Sequence, residues 1–213
     1  MIYQVEIDID PTGLQNIVAA GQFITLVRSV SAFVYQSEIG KSGTAARTVA
    51  WLSVAPRAKN VIAWNERADV YATAALPAGG GVIGVNARTQ NAQPLQTTPF
   101  RNGAFGPPSR TPAVTGYGVT NLDESLMYFG LAAVASVNGK GRSALPMNVE
   151  AVLPGQSADF AFSSPTITIS LTNVLTSGSL LPPDPSGGLE LVLGSSNPTA
   201  KVGFNDRTSH FFQ

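Results

Sequence analysis

The chain has 213 residues, enough for one large β-domain or two small domains. Charged residues make up only 12% of it, about half the share of roughly 25% that is usual in soluble domains, and 13 basic residues balance 13 acidic ones. This balance excludes the strong positive field of nucleic-acid-binding proteins, and the lack of cysteine excludes disulfides, thiolate metal sites and cysteine nucleophiles.

The first 85 residues are patterned mainly as short strands. From residue 2 to residue 10, apolar and polar side chains alternate with period two, which is typical of a half-buried strand. Pro11-Thr12-Gly13 predicts a turn, residues 14–20 predict at most one helical turn, and residues 37–44 are predicted as a loop. The remaining predicted strands share β-branched or aromatic residues between turn signals, and they cover 22–30, 48–54, 61–64, 68–75 and 82–85.

Residues 86–118 differ from the rest of the chain. They are rich in Pro, Gly, Thr, Asn and Gln and show no sustained period, so they predict one long irregular loop or arm. Loops in compact domains usually have about 4–6 residues, and much longer ones are mostly functional or disordered. Phe100, Phe105 and Tyr117 are aromatic anchors within the segment, which we expect to pack on the body of the protein or on a neighbouring copy.

The strand pattern returns after residue 126. Residues 127–137 are predicted as a strand, although Glu, Leu, Met and Ala over 124–136 also favour a helix; Gly130 and the turn that follows tip the balance to the strand. Asn138-Gly139 is a strong hairpin signal because a type I′ turn needs positive φ at both central residues. The later strands share the same alternation and turn spacing, and they are 142–153, 158–162, 166–171, 189–193 and 200–204, with a hairpin-like loop at 182–188.

Turn signals every 8–12 residues predict a single all-β domain over residues 1–213, an antiparallel β-sandwich or barrel-like sandwich. The 86–118 segment could separate two halves, but each half alone would hold few strands. We therefore expect one domain with one long irregular loop.

Known catalytic patterns are incomplete in this sequence. Gly79, Gly81 and Gly84 match the spacing of a dinucleotide-binding turn, but the residues that follow lack the apolar stripe of the helix that such a site needs. His210 is the only histidine and lies three residues from the end of the chain, where a catalytic base would be poorly held. We expect a protein that is not an enzyme and that has no cofactor.

One acidic group at the start of the chain has two interpretations. Glu6, Asp8 and Asp10 lie on one face of the first predicted strand, and carboxylate oxygens are the ligands that Ca²⁺ prefers. A solvated strand face that resists edge pairing is the commoner explanation of such a pattern. We therefore predict no metal site here.

Aromatic and polar side chains are interleaved over residues 51–71. Trp51, Trp64 and Tyr71 lie there with Arg67, and Tyr117 adds a further ring from the long loop. Rings that stack on a sugar, beside polar groups that bind its hydroxyls, would form a glycan site, and Trp and Tyr also suit a lipid headgroup. We predict these five residues as ligand-binding; the alternative is that the rings belong to the hydrophobic core.

The predicted architecture resembles that of small cysteine-poor β-sandwich proteins such as fungal and bacterial lectins and the aegerolysin and actinoporin cytolysins. This resemblance implies a non-catalytic protein that binds a cell-surface glycan or membrane lipid, oligomerises and, as a toxin, forms pores. Near-zero net charge also favours self-association, so the alternative is a self-assembling virion, coat or inclusion protein.

The location is predicted from what the sequence lacks. The first ten residues show no basic start followed by an apolar run, and no stretch approaches the ~20 apolar residues of a membrane helix. We expect a chain that is soluble and cytoplasmic as made, with release from the cell left open.

Overall fold

The computed structural model describes residues 1–36, 39–44, 47–111, 115–174, 176–182 and 188–213, with only the backbone described for 36, 39–44 and 163–165. These residues form twenty strands and one helix. In chain order the elements are β1 (Ile2–Asp8), α1 (Pro11–Ala19), β2 (Phe23–Gln36), β3 (Ile39–Thr44), β4 (Arg47–Ala50), β5 (Leu52–Val54), β6 (Lys59–Asn65), β7 (Asp69–Thr73), β8 (Ala87–Arg88), β9 (Gln96–Arg101), β10 (Ala104–Phe105), β11 (Ser109–Arg110), β12 (Tyr117–Asn121), β13 (Met127–Val137), β14 (Lys140–Pro146), β15 (Asn148–Val152), β16 (Ser157–Thr172), β17 (Ser179–Leu180), β18 (Leu189–Val192), β19 (Thr199–Asn205) and β20 (His210–Phe212).

Two curled sheets hold all the strands of the described residues, which confirms the predicted all-β sandwich or barrel-like fold. The first sheet has the order β17-β4-β15-β13-β6-β1-β19-β20, with β14 and β7 beside β13 and β8 beside β7. The second has the order β10-β9-β12-β16-β2-β3, with β11, β18 and β5 on its flanks. Pairing is antiparallel except between β1 and β19 and between β9 and β12.

Alternation decides which face of each strand enters the core. In β1, Tyr3, Val5 and Ile7 are buried while the residues between them are half-buried or exposed. β6 repeats the pattern, and the register places Val5 opposite Ile62. Buried apolar side chains from both sheets form one large cluster, because each sheet covers the apolar face of the other. A smaller, separate cluster, which includes Tyr71 and Ala132, joins strands of the first sheet.

The helix begins earlier than the sequence predicts. Residues 11–13 are not a turn but the first residues of α1, because Asp10 accepts hydrogen bonds from the amides of Thr12 and Gly13 at 2.8 and 2.9 Å. Pro11 suits the first helical position, where its missing N–H costs no helical hydrogen bond. The predicted turn at 11–13 is therefore wrong.

Two further segments differ from their predicted structure. Residues 39–44, predicted as a loop, form the edge strand β3 against β2, and 37–38 lie outside the described residues. This strand is built from small and polar residues, so its sequence carries no alternation. Residues 82–85, predicted as a strand, contribute only one bridge, between Val82 and Ser179. Of the loop predicted at 182–188, residues 183–187 lie outside the description.

The 86–118 segment is more ordered than its composition suggests. It contains β8, β9, β10, β11 and the start of β12, and residues 112–114 are outside the described part. Phe100 is fully buried and contacts Phe129 edge-on, with a centroid distance of 5.2 Å, so this anchor packs on the body of the same chain. The strands are two to six residues long, and the longest of them, β9, reads Gln-Thr-Thr-Pro-Phe-Arg, so they are too short and too mixed to show a period.

The strand over 127–137 and the hairpin after it are confirmed. β13 and β14 pair through Val137 and Lys140, and Asn138 and Gly139 have φ values of 51° and 75°. Gly130 is needed for close packing, since a Cβ there would lie 2.1 Å from the carbonyl oxygen of Asn148. No helix in the described part of the chain is long and apolar enough to span a membrane.

Candidate functional site

The four aromatic residues predicted to bind a ligand are core residues. Trp51 and Tyr71 are fully buried, Trp64 is 4% exposed and Tyr117 is 7% exposed. Their ring faces contact other side chains: Trp51 and Trp64 meet edge-on at 5.8 Å, and Trp64 stacks on Tyr3 at 5.9 Å. These rings are therefore buried and present no open face to solvent: Trp51, Trp64 and Tyr117 lie in the core between the sheets, and Tyr71 packs in the smaller cluster of the first sheet.

Trp51 lies where the chain changes sheets. It separates β4, which pairs in the first sheet, from β5, which pairs with β2 in the second. Its indole Nε1 donates to the carbonyl oxygen of Ala133 at 3.2 Å. Tyr71 has a similar internal role, since its hydroxyl donates to the carbonyl oxygen of Asn148 at 2.6 Å.

A buried arginine lies beneath the two tryptophans. Arg28 is 3% exposed, and its Cζ is 4.2 Å from the ring centroid of Phe162 and 5.5 Å from that of Trp51. No carboxylate of the described residues comes within 4.0 Å of it. Desolvation lowers the pKa of Arg28 to about 10, against the opposing charge of Glu66. Aromatic faces stabilise this cation in place of a salt bridge.

Glu66 ties the β6–β7 turn to this core. The hydroxyl of Tyr3 donates to Glu66 Oε1 at 2.7 Å, and the hydroxyl of Tyr117 donates to the carbonyl oxygen of Glu66 at 3.4 Å. The hydrogen bond to Glu66, with burial, raises the pKa of Tyr3. The inner side of the turn is therefore held by two tyrosines, and its outer side faces solvent.

The outer side of this turn forms one wall of a surface pocket. β13 pairs with β7 as far as Ala132 and with β6 from Ala135 onward, so residues 133–134 lie where the partner changes. A bulge against β14 falls at the same place. Bulges and changes of strand partner open a sheet locally and are common beside binding sites.

The pocket has a volume of about 450 Å³. Its lining residues are of two kinds: the apolar residues Ala68, Ala92, Ala132, Ala133, Val134 and Ala144, here called the floor, and the polar residues Asn65, Arg67, Asp69, Asn91 and Gln93, here called the walls. Val134 is 45% exposed and presents an apolar surface to the pocket. The pocket thus joins the 51–71 block, the 86–118 segment and the β13–β14 hairpin.

Hydrogen bonds within the walls set the positions of the polar groups. Asn65 Oδ1 accepts from the amide of Arg67 at 3.0 Å, and Asp69 Oδ1 accepts from the amide of Asn91 at 2.9 Å. Gln93 Nε2 donates to the carbonyl oxygen of Asn91 at 3.1 Å. The amide and carboxylate walls can exchange hydrogen bonds with a hydroxyl-rich ligand, and the apolar floor can contact its C–H groups.

Of the five residues predicted to bind a ligand, the structure brings only Arg67 to the pocket. Sequence reasoning missed Asn65, Asp69, Asn91, Gln93 and Val134. The signal available for them was weak: Asn65 and Asp69 lie within the predicted block 51–71 but were not singled out, and Asn91 and Gln93 lie in the segment marked as a long loop. Nothing in the sequence joins the two segments.

The other candidate groups have structural roles or lie apart. Asp10 caps α1, and Glu6 forms an ion pair with Lys59 at 2.9 Å, an interaction that lowers the pKa of Glu6. No group of three potential metal ligands occurs among the described residues. Gly79–Gly84 leads into a bridge and β8 rather than a helix, and His210 is exposed on the terminal strand.

The chain is thus a two-sheet β-protein with a surface pocket that is lined by polar side chains and by alanines. Comparison of the chain with protein-family models, with curated proteins and with solved structures gave no match. Any functional conclusion therefore depends on the geometry of the chain itself.

Proposed function

We propose that this chain is a non-catalytic glycan-binding protein of lectin type, and that the pocket between the β6–β7 turn, residues 91–93 and β13 is its sugar site. One observation carries the proposal: planar amide, carboxylate and guanidinium groups line a pocket of about 450 Å³ whose floor is small and apolar. Planar polar groups bind adjacent sugar hydroxyls, while the exposed face of Val134 can contact the C–H side of a ring.

The size and shape of the pocket support this proposal. Ligand pockets commonly measure about 300–1,000 Å³ and combine an apolar lining with a few placed polar groups. The internal hydrogen bonds of the walls hold those groups in place before a ligand arrives, which lowers the entropic cost of binding.

A glycan array followed by calorimetry on the bound sugars tests the proposal. The chain should bind a defined subset of glycans. Val134→Gln should lower the affinity at least tenfold, because a longer polar side chain replaces the exposed apolar surface of Val134. Val192→Gln is the matched control, because Val192 is a 68% exposed strand valine in the second sheet and its replacement should leave binding unchanged. Failure to bind any glycan, or equal losses in both variants, would contradict the proposal. Liposomes of zwitterionic and anionic lipids, run in parallel, test the cytolysin alternative.

A second candidate function is self-assembly, as in a coat or inclusion protein. Ile2, Val192 and Phe212 are 70%, 68% and 53% exposed, and the net charge is zero, so neither polarity nor repulsion protects these strands from association. Multi-angle light scattering between 1 and 100 µM tests it: growth in mass that is lost in Phe212→Ser supports assembly, and a constant monomer mass rejects it.

A further inference from the structure

We infer that the sugar bound in this pocket carries a carboxylate, as sialic and uronic acids do, and that Arg67 is the residue that binds it. This inference depends on the proposed glycan-binding function. It arises from the charges around the pocket, which the hydrogen bonds of the β6–β7 turn leave unbalanced.

Arg67 is the cation of this wall that has no ionic partner. The residue is exposed and lines the pocket, and neither ion pair found among the described residues includes it. Its backbone amide is held by Asn65 Oδ1 at 3.0 Å, which fixes the base of the side chain. A guanidinium is charged at neutral pH and offers a planar pair of donors that matches a carboxylate.

Glu66, the neighbouring acid, forms no ion pair with Arg67. Its carboxylate accepts from Tyr3 at 2.7 Å on the inner side of the turn, toward the core that holds Arg28. Arg67 lines the pocket on the outer side. The turn therefore separates two adjacent residues of opposite charge.

Asp69, the acidic residue of the pocket lining, already has partners. Its Oδ2 lies 3.5 Å from Nε of Arg88, and its Oδ1 accepts from the amide of Asn91 at 2.9 Å. Asp69 and Arg88 balance each other, so Arg67 leaves the pocket with one net positive charge. A ligand with one negative group would complete this balance, and a neutral sugar would leave the cation without a counterion.

Matched pairs of acidic and neutral sugars test the inference. Isothermal calorimetry would compare 3′-sialyllactose with lactose and with its own methyl ester, and a glucuronate-terminated disaccharide with its glucose-terminated counterpart. At least one acid should bind ten or more times tighter than its neutral counterpart. The preference should shrink between 50 and 500 mM salt, because the charges are exposed and screened.

Arg67→Gln should abolish the preference for the acid over the neutral sugar, whereas Arg67→Lys should keep part of that preference. Arg207→Gln is the matched control, since Arg207 lies in the turn between β19 and β20, which are three and four strands from β13 in the same sheet. The methyl ester removes the charge from the ligand, so the test does not depend on the folding of any variant.

The failures of the two proposals are distinguishable. Equal binding of acidic and neutral partners, or an acid preference that survives Arg67→Gln, overturns the inference and leaves glycan binding intact. Absence of binding to every sugar on the array overturns both.

Discussion

The indole nitrogen of Trp51 donates a hydrogen bond of 3.2 Å to the carbonyl oxygen of Ala133. The donor lies where the chain passes from the first sheet to the second, and the acceptor lies where β13 passes from β7 to β6. A single bond thus joins the crossing between the sheets to the floor of the pocket. Trp51, which the sequence marks as a ligand platform, is thus a fully buried member of the core between the sheets.

Trp51→Phe should destabilise the protein more than Trp64→Phe. Both changes remove part of a buried ring, but only the first removes a hydrogen bond, because Trp64 Nε1 has no partner among the described residues. Loss of a buried hydrogen bond costs roughly 0.5–1.5 kcal/mol, and we expect a difference of that size. Urea denaturation followed by fluorescence measures both variants, and equal losses would argue against a structural role for this bond.

Tyr3→Phe should loosen the β6–β7 turn. The change removes the donor to Glu66, and we expect a loss of about 1 kcal/mol in the free energy of unfolding together with faster amide exchange at Arg67. Glu66→Gln keeps an acceptor oxygen and serves as the control that should retain slow exchange. Unchanged exchange at Arg67 in Tyr3→Phe would show that the tyrosine does not hold the turn.

Arg28→Met should leave the free energy of unfolding unchanged or raise it, whereas Arg28→Ala should lower it. Methionine fills the space between the aromatic rings without a desolvated charge, and replacing buried charges with apolar residues is often neutral or stabilising by about 1–4 kcal/mol. Alanine leaves a cavity instead. Thermal and urea unfolding compare the two; an equally large loss in both would mean that the guanidinium itself stabilises the fold.

Asp159→Asn should release the end of the 86–118 segment from β16. The fully buried carboxylate accepts from the amides of Thr115 and Gly116 at 2.8 and 3.0 Å and from the Thr115 hydroxyl at 2.8 Å. Asparagine replaces one accepting oxygen with an NH₂ group, which would face other donors. We expect the free energy of unfolding to fall by roughly 1.5–3 kcal/mol. Limited proteolysis around residue 115 and urea unfolding would reveal it. Asp123→Asn provides a control at a half-buried acid that accepts from the Asn102 amide.

Stability should fall as the pH rises above about 10. Burial raises the pKa of Tyr35, Tyr71 and Tyr117, and the hydrogen bond to Glu66 raises that of Tyr3. Unfolded tyrosines titrate near ~10, so above that pH the unfolded chain holds fewer protons than the folded one, and stability is lost as the pH rises toward the folded values.

Arg28 acts in the opposite direction. Its folded pKa of about 10 lies below that of an unfolded arginine, near 12.5, so loss of its proton above pH 10 favours the folded state. Four tyrosines outweigh one arginine, and Arg28→Met should make the loss steeper. Urea midpoints between pH 8 and 11.5, with absorbance at 295 nm to follow tyrosinate, measure both effects; a rising midpoint would contradict the prediction.

Local pattern was sufficient for the strand architecture. Alternation over residues 2–10 predicts the strand β1, and Asn138-Gly139 predicts the hairpin between β13 and β14. Both signals are local, because the pleat of a strand and the positive φ of a turn depend on a few adjacent residues. Composition was also sufficient to exclude cysteine chemistry. Local pattern was insufficient for α1 and β3. In α1 the cap by Asp10 outweighs the turn propensity of Pro11 and Gly13, and in β3 pairing at the sheet edge outweighs the loop propensity of Gly and Ser.

By itself, then, the sequence determined the all-β fold class and marked the two segments, 51–71 and 86–118, from which most of the pocket is built. Only the tertiary structure decided which of their side chains face solvent. Trp64 is buried and Arg67 is exposed because one sheet packs over the other, which the sequence around them does not reveal. The hydrogen bond between the Asn91 amide and Asp69 likewise depends on contact between distant parts of the chain. Such long-range contacts follow from burying the apolar faces of both sheets together, which no local window of residues encodes.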